Sequence, residues 1–287
     1  GRPASDPIIV HLADLAQLDD VALTMPLLVN ALAAAFWPGP LTLVLPRNPR
    51  MPANVSAGRG TVAVRMPAHP IARALIAAAG VPVAAPSANT FSRPSATTAQ
   101  HVWDDLHGRI ALILDGGPSP LGVESTILDL TGQTPVILRP GGISLESIRT
   151  LAPEANSRQQ YLAWDADAAA PGQLIKHYSP RAEMRLYDGP NALTAMRNEA
   201  LARMVRGERP GLLLLDGEAA AFAGLDATIE TLGCTAEDAA ARLFAALRAL
   251  DARCDVILAH SIARHGLGAA VMDRLTRAAE GRIIAAP

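Results

Sequence analysis

The 287-residue sequence is poor in aromatic side chains and in cysteine. Phe, Trp and Tyr make up 3% of the chain, which disfavours rows of stacked rings as its main means of binding single-stranded nucleic acid. The two cysteines, Cys234 and Cys254, are too few and too far apart for a metal cluster, and we expect both to be buried thiols of a reducing compartment. A Ser-His-Asp order, HExxH, paired CxxC and the phosphate-binding GxxxxGK motif are also absent, so none of the chemistries tied to those motifs is indicated.

A large excess of charge and a long apolar run are missing as well. The formal net charge is −2, so the whole molecule does not attract nucleic acid, although a local basic patch stays open. No apolar run reaches the roughly 18 residues that span a bilayer, and no signal peptide is visible at the start. The sequence therefore predicts a cytoplasmic protein that does not bind a membrane. Its 50% hydrophobic residues are enough for two domains with cores of their own.

Residues 61–95 are interpreted as a strand, a helix, a second strand and a polar loop. Polar and apolar side chains alternate over 61–65, which is typical of a half-buried strand. A short helix is predicted to end at Gly80, and the apolar strand 81–85 then leads into Pro-Ser-Ala-Asn. Hydroxyl, amide and backbone N–H groups after a buried strand suit a phosphate or a carboxylate. An ordinary polar loop is the competing interpretation.

The rest of the first half is predicted to add strands joined by short turns. Such a pattern, with few helices between strands, favours a mixed sheet with antiparallel members. The predicted helices are 12–36, 97–106 and 144–151, and the predicted strands are 8–11, 41–45, 110–114, 125–130 and 135–139.

From Met184 onward strands and helices alternate, which predicts a small doubly wound parallel domain. Strands are expected over 184–187, 211–215 and 255–259, with a long helix that begins at Thr235. Gly266-Leu267-Gly268 resembles half of a dinucleotide-binding fingerprint, but the third glycine is missing. We therefore interpret these glycines as packing residues.

Several polar residues of the first half follow predicted strands or end them. Arginine recognises carboxylate and phosphate through paired hydrogen bonds, and hydroxyl groups bind anions without titrating. Such a set favours positioning and charge neutralisation, which is the logic of nucleotidyl and phosphoryl transfer. The residues are Arg65, Ser87, Asn89, Ser95, Ser125, Thr126 and Arg139.

Seven ordered motifs make the chain resemble the Sua5 branch of the Sua5/YrdC/YwlC family over nearly its whole length. Two later stretches, LFAALRALD and GLGAAVMDRLTRAA, resemble the second domain that only the Sua5 branch has. The seven motifs are GRPxxxPIIVH, FWPGPLTLVLP, TVAVRMP, APSAN, GVESTILD, ILRPG and PGQLIKHYSP.

The resemblance implies an α/β fold in three parts. A YrdC-like catalytic domain with a twisted mixed sheet is expected over 1–152, and a linker that acts as a lid over the active site is expected over 153–183. A small Rossmann-like, doubly wound Sua5 domain is expected over 184–287. The implied activity is L-threonylcarbamoyladenylate synthase, a nucleotidyltransferase that makes threonylcarbamoyl-AMP and pyrophosphate from L-threonine, bicarbonate and ATP, with Mg²⁺. Its product serves the t6A modification of tRNA at adenosine 37, so tRNA and downstream threonylcarbamoyl-transfer proteins are implied as partners.

The resemblance also implies which residues bind the two larger substrates. No residue is assigned a catalytic role, and none is assigned as a metal ligand. The implied ATP contacts are Arg2, Asp6, Thr61, Ser87, Ser95, Arg139 and Tyr178. The implied L-threonine contacts are His11, Arg65, Ala85 and Ser125.

Two departures from the family pattern follow. The family has a lysine directly before Gly-Arg-Pro and, earlier, a strand and a loop of the PTETVYGLG type. Neither is in this sequence, so the first domain is expected to be incomplete at its N-terminus. The family more often has Asn at the position of Asp6, and a carboxylate there would repel phosphates unless Mg²⁺ intervenes.

Two other functions compete. The first is a YrdC-like module that binds RNA without catalysis, for which the loop arginines Arg47, Arg50 and Arg59 would form a basic rim. The second is carbamoyl-adenylate chemistry of hydrogenase maturation. The absence of zinc-finger and acylphosphatase-like segments argues against it.

Overall fold

The computed structural model describes residues 3–158, 175 and 177–287 and confirms the predicted α/β class. The described residues form two compact units. Those of the first unit lie within Gly1–Ser87, Leu112–Gly116 and Glu124–Leu174. Those of the second unit lie within Ala88–Ala111, Gly117–Val123 and Ile175–Pro287.

Short strands and helices alternate along the described chain. The strands are β1 (Val10–His11), β2 (Leu41–Pro46), β3 (Thr61–Arg65), β4 (Val83–Ala84), β5 (Thr126–Asp129), β6 (Val136–Arg139), β7 (Asn156–Ser157), β8 (Glu183–Asp188), β9 (Pro210–Leu214), β10 (Thr228–Thr231), β11 (Val256–His260) and β12 (Ile283–Ala285). The α-helices are α1 (Leu18–Val21), α2 (Leu27–Phe36), α3 (Pro70–Ala79), α4 (Ala99–Leu106), α5 (Leu145–Arg149), α6 (Ala192–Val205), α7 (Ala236–Asp251) and α8 (Leu267–Ala278).

The first unit is built on a seven-stranded mixed sheet in the order β4-β1-β3-β2-β5-β6-β7. Strand β1 runs parallel to β3 and antiparallel to β4, while β2 is antiparallel to β3 and parallel to β5. Strand β2 packs on both faces, since Leu41, Leu43 and Leu45 join one apolar cluster and Val44 joins another. This period of two is the alternation of side chains that a strand requires. The mixed sheet predicted for the first half is confirmed.

Helix ends follow the local chemistry that the sequence predicted. Helix α3 ends at Gly80, which has a positive φ of 68° that glycine adopts without strain. The side chain of Thr98 accepts a hydrogen bond from the first turn of α4, and Ser144 does the same for α5.

Two predicted elements and one predicted burial are wrong. The expected helix over 12–36 is interrupted, because Pro26 precedes a new helix start and lacks the N–H that a continuous helix needs. The expected strand over 110–114 is not formed, and its residues Leu112 and Leu114 are 74% and 53% exposed. Cys254 is buried as expected, but Cys234 is exposed.

The second unit contains a five-stranded sheet in the order β10-β9-β11-β8-β12, and every neighbouring pair is parallel. Alternate residues of β11 face different cores: Val256 packs with residues of α6, and Ile257 packs with residues of α7 and α8. Helices therefore cover both faces of the sheet, as in doubly wound folds. The predicted small Rossmann-like domain is confirmed.

Two features of the second unit support the sequence interpretation of its helices. Thr235 and Asp238 form a reciprocal capping box at the start of α7. At the start of α8 a Cβ on Gly268 would lie 2.0 Å from the carbonyl oxygen of Ala263, so close packing requires glycine there. None of the helices of the described residues is long and apolar enough to cross a membrane.

The contact-based units and the bounds predicted from sequence divide the chain differently. Residues 88–111 and 117–123 belong to the second unit by their contacts. The division into 1–152, 153–183 and 184–287 stays a prediction.

Candidate active site

The first unit places His11 beside Arg65. Strands β1 and β3 are parallel neighbours, and His11 is the register partner of Arg65 where both strands end. On its other side His11 pairs with Val83 of β4. The Nδ1 atom of His11 is buried without a hydrogen-bond partner among the residues that the structure describes. A buried imidazole nitrogen of this kind is suited to contact with a ligand, because an unsatisfied buried polar atom costs free energy.

The guanidinium group of Arg65 is held by a tight turn. Its Nε donates a hydrogen bond of 2.9 Å to the carbonyl oxygen of Gly39. The turn itself is fixed by a 2.9 Å bond from the N–H of Gly39 to the carbonyl of Met66. A Cβ on Gly39 would lie 2.2 Å from the carbonyl oxygen of Phe36, so only glycine fits. Since this contact uses Nε, a carboxylate can approach the two terminal nitrogen atoms side by side.

A buried polar network joins three strands of the same sheet. The hydroxyl of Ser125, just before β5, lies 2.7 Å from the hydroxyl of Thr42 in β2. Arg139, at the end of β6, donates from Nη2 to the carbonyl oxygen and the hydroxyl of Ser125, at 2.9 and 3.2 Å. All three side chains are buried, at 0 to 3% exposed. Their mutual hydrogen bonds keep the hydroxyl and the guanidinium group in fixed positions.

The turn after β6 is packed directly against the Ser125 peptide. A Cβ on Gly141 would lie 2.4 Å from backbone atoms of Glu124, Ser125 and Thr126, so this close approach requires glycine. The N–H of Gly142 donates to the carbonyl of Glu124 at 3.1 Å. The Arg-Pro-Gly motif therefore fixes Arg139 and Ser125 relative to each other.

Burial and neighbouring positive charge together shift two pKa values in the site. Burial, followed by the charge of Arg65, lowers the pKa of His11 to about 4, against the opposing effect of the backbone carbonyls of Val83 and Ile9. Burial, followed by the charge of Arg139, lowers the pKa of Arg65 to about 10. At neutral pH, His11 is therefore a neutral imidazole beside the guanidinium group of Arg65, on which the charge of Arg139 acts. Such an arrangement favours an anion, whose charge would relieve the repulsion between the arginines.

Four other residues predicted for the site also lie in the first unit. Thr61 begins β3 and Arg65 ends it, so they lie about 13 Å apart at about 3.3 Å per residue. Asp6 is buried, with its N–H bonded to the carbonyl of Pro3 at 3.2 Å. Ala85 and Ser87 are exposed after β4, and the Ala85 N–H donates to the carbonyl of Ile9 at 3.1 Å.

Four predictions concern residues outside the first unit or outside the described chain. Ser95 and Tyr178 lie in the second unit, where both are buried. Tyr178 has a positive φ of 62° and packs its ring against Phe244 at a centroid distance of 5.2 Å. Arg2 and most of the predicted lid over 153–183 lie outside the described residues. The binding roles of all these residues stay predictions.

Sequence reasoning missed Thr42 and Gly39 as parts of the site. Thr42 is the polar residue in the otherwise apolar run LTLVL, a signal that a buried hydrogen-bond partner exists. Gly39 lies in the Trp-Pro-Gly-Pro turn, between the predicted helix 12–36 and the predicted strand 41–45.

Comparisons with known proteins agree along the whole chain. The Sua5_yciO_yrdC family model, described as "Telomere recombination", matches residues 1–141, and the model described as "Threonylcarbamoyl-AMP synthase, C-terminal domain" matches residues 143–280. A threonylcarbamoyl-AMP synthase of Pyrococcus abyssi is 43% identical over 99% of this chain and 83% of that protein. One of Bacillus subtilis is 41% identical over 99% of this chain and 82% of that protein. The crystal structure of P. abyssi Sua5 complexed with L-threonine has a TM-score of 0.93 at 42% identity, covering 100% of this chain and 84% of that one. The chain therefore belongs to the Sua5 family of threonylcarbamoyl-AMP synthases.

Proposed function

We propose that the protein makes threonylcarbamoyl-AMP from L-threonine, bicarbonate and ATP. The amino group of threonine and bicarbonate give a carbamate with loss of water. A carbamate oxygen then attacks the α-phosphorus of ATP, and the bond to the leaving pyrophosphate breaks. The proposal is carried by the pairing of a neutral His11 with Arg65 beside Arg139, which is an anion-binding arrangement in a member of this family.

In this proposal threonine binds at the ends of β1 and β3. Arg65 holds the threonine carboxylate through its two terminal nitrogen atoms, since its Nε is bonded to Gly39. His11 donates to or accepts from threonine through Nδ1, which has no hydrogen-bond partner among the described residues. With a pKa of about 4, His11 stays neutral at pH 7 and orients the substrate instead of shuttling protons. Ser125 and the backbone of Ala85 complete the proposed threonine contacts.

The nucleotide is proposed to bind through residues assigned by resemblance. Arg139 is near enough to Arg65 for its charge to lower the pKa of Arg65, which supports a place for Arg139 in the same anion-binding site. The other proposed ATP contacts are Arg2, Asp6, Thr61, Ser87, Ser95 and Tyr178.

Mg²⁺ is proposed to enter with ATP. Among the described residues no group of three or more His, Cys, Asp or Glu could hold a metal ion, so a cage made by the protein alone does not fit. Mg²⁺ commonly binds through substrate phosphates with one or two carboxylates. Asp6 is the carboxylate among the proposed ATP contacts, and the ion would offset its repulsion of the phosphates.

The product is a mixed anhydride, which hydrolyses readily and must be passed on. We propose that it serves t6A formation in tRNA, with tRNA and threonylcarbamoyl-transfer proteins as the downstream partners. This role places the protein in the cytoplasm. Membership of the family supports this role.

The test is pyrophosphate release from ATP and bicarbonate, measured with and without L-threonine. We expect threonine-dependent release, and release that ignores threonine would contradict the proposal. Arg65→Ala should raise the KM for threonine about 10- to 100-fold, the range of a charge-assisted hydrogen bond, with a smaller change for ATP. Arg65→Lys keeps the charge but loses the paired geometry and should fall between the two. Arg73→Ala, an exposed arginine of the same unit, is the matched control.

Binding of RNA without catalysis is the second candidate, and one of its three arginines is committed elsewhere. Arg47 donates from Nε to the carbonyl of Arg59 at 3.0 Å and from Nη1 to the carbonyl of Met51. It therefore braces its own loop instead of pointing a free charge at a phosphate backbone. Salt-sensitive tRNA binding without any ATP turnover would favour this candidate.

A further inference from the structure

One arginine of the second unit is bonded to a segment that carries a proposed ATP contact. We call residues 89–105 the Ser95 segment. Arg248 lies on α7, and its side chain is 14% exposed. Its Nε donates to the carbonyl of Ser95 at 3.2 Å, and its Nη2 donates to the carbonyl of Pro94 at 2.6 Å. The same guanidinium group forms a paired contact with Asp105, at 3.1 and 2.8 Å.

Asp105 extends this contact to the start of the segment. Its second oxygen also accepts a 3.1 Å hydrogen bond from the N–H of Thr90. Burial raises the pKa of Asp105, but the hydrogen bonds from Arg248 and Thr90 outweigh burial and keep that pKa below its usual value. The carboxylate is therefore charged at neutral pH. Arg248 therefore contacts residues 94, 95 and 105 of the Ser95 segment directly, and it reaches residue 90 through Asp105.

A second point of attachment holds the segment at Ser92. The N–H of Ser179 donates to the carbonyl of Ser92 at 2.7 Å. The rings of Phe91 and His177 meet edge to face at a centroid distance of 6.0 Å. Within the segment, the side chain of Asn89 donates to the carbonyl of Arg93 at 2.9 Å. The peptide on either side of Ser95 is thus fixed from outside by the C-terminal half of the chain.

The contacts of Arg248 are more specific in direction than a contribution to stability alone would require. A buried ion pair is weak support for stability, because desolvation offsets much of its attraction. The planar guanidinium group, however, meets two carbonyls and a carboxylate in different directions at once, which a lysine ammonium group cannot reproduce. Such a contact fixes position more than it adds free energy.

We propose that Arg248 is a positioning residue for ATP, which acts by holding the Ser95 peptide through Asp105 and two backbone carbonyls. The inference rests on the proposed function, because Ser95 is a nucleotide contact only if the protein uses ATP. It gives the C-terminal domain a share in substrate binding, since α7 supplies the anchor.

The test compares Arg248→Ala with Arg242→Ala, a variant of an exposed arginine on the same helix that is 3.9 Å from Asp216. We expect Arg248→Ala to raise the ATP KM and the ATP dissociation constant about tenfold or more, with a much smaller effect on the KM for threonine. Arg242→Ala should leave both unchanged. Arg248→Lys and Asp105→Asn are milder variants and should raise the ATP KM less. They provide the same comparison if Arg248→Ala does not fold.

A double-mutant cycle separates positioning from general stability. If Arg248 acts through Ser95, the effect of Ser95→Ala on ATP binding should be smaller in the Arg248→Ala background than in the wild type. Hydrogen exchange at the amides of the Ser95 segment should accelerate in Arg248→Ala and not in Arg242→Ala.

The outcomes distinguish this inference from the proposed function. A wild-type protein that uses and binds ATP, with Arg248→Ala unchanged in ATP KM, overturns the inference alone. Equal losses for ATP and threonine also overturn it, since they indicate a general structural role. A wild-type protein that neither turns over nor binds ATP overturns the proposed function together with the inference.

Discussion

Burial of His11 makes a prediction about stability in acid. The pKa of His11 is lowered from 6.5 to about 4, mainly because its imidazole is desolvated beside Arg65. In the unfolded chain the same imidazole titrates near 6.5. Between these two values the unfolded state binds a proton that the folded state does not. The free energy of unfolding must therefore fall as pH is lowered from about 6.5 to about 4.

The size of the effect follows from the pKa difference. At about 1.4 kcal/mol for each pKa unit, a pKa lowered to about 4 corresponds to a loss of about 3 kcal/mol below pH 4. Well above pH 6.5 the imidazole is neutral in both states and contributes no pH dependence. Substrate affinity should likewise show no His11 titration between pH 6 and pH 8.

The assay is urea unfolding of the wild type and of His11→Gln at pH 7 and pH 4.5. His11→Gln can differ in stability at pH 7, so the quantity compared is the loss between the two pH values. We expect the wild type to lose about 2 to 3 kcal/mol more than His11→Gln. His107→Gln, which removes an exposed histidine, is the control and should lose as much as the wild type. Equal losses in the wild type and His11→Gln would show that burial does not keep His11 neutral.

Two further substitutions test other contacts. Gly39→Ala would place a Cβ 2.2 Å from the carbonyl oxygen of Phe36 in the preceding helix, so the turn must shift. Because Arg65 then loses the carbonyl that holds its Nε, the KM for threonine should rise. Steady-state kinetics can measure this rise, with Met51→Leu as a control variant elsewhere in the core. Asp273→Asn removes the carboxylate that contacts the fully buried Arg274 and Arg277 at 2.6 and 3.0 Å. The substitution should lower the free energy of unfolding by about 3 to 5 kcal/mol, because it leaves buried charges uncompensated. A loss below about 1 kcal/mol in urea unfolding would contradict this prediction.

The parts of the fold that the sequence predicted are those decided by neighbours in the chain. The helix caps at Thr98, Ser144 and Thr235 each depend on a side chain and an N–H three residues away. The strand-helix alternation after Met184 likewise depends on local period, and it predicted the parallel sheet. The incorrect strand over 110–114 shows the limit, because an apolar run becomes a strand only where another strand is available to pair with it.

The site was predicted as a set of residue types but not as a set of contacts. Ser125 and Thr42 are 83 positions apart and meet only because β2 and β5 become neighbours. Sequence reasoning gave Arg65 a role by resemblance, but it could not show that Gly39 holds its Nε. Arg248 carried no signal at all, since an arginine on an amphipathic helix ordinarily faces solvent. Contacts of this kind depend on which helices and strands pack together, and the partners are far apart in the sequence.

The attachment of the Ser95 segment to α7 also orders events while the protein is being made. Ser95 and Arg248 are 153 positions apart. At roughly 5 to 20 residues per second, the ribosome needs roughly 8 to 30 seconds to travel between them. During that interval the Ser95 peptide has already been synthesised, but the guanidinium group that fixes it has not. A chain that stops before α7 is made keeps Ser95 but lacks its anchor, so the Ser95 carbonyl gains this contact only after α7 has been synthesised.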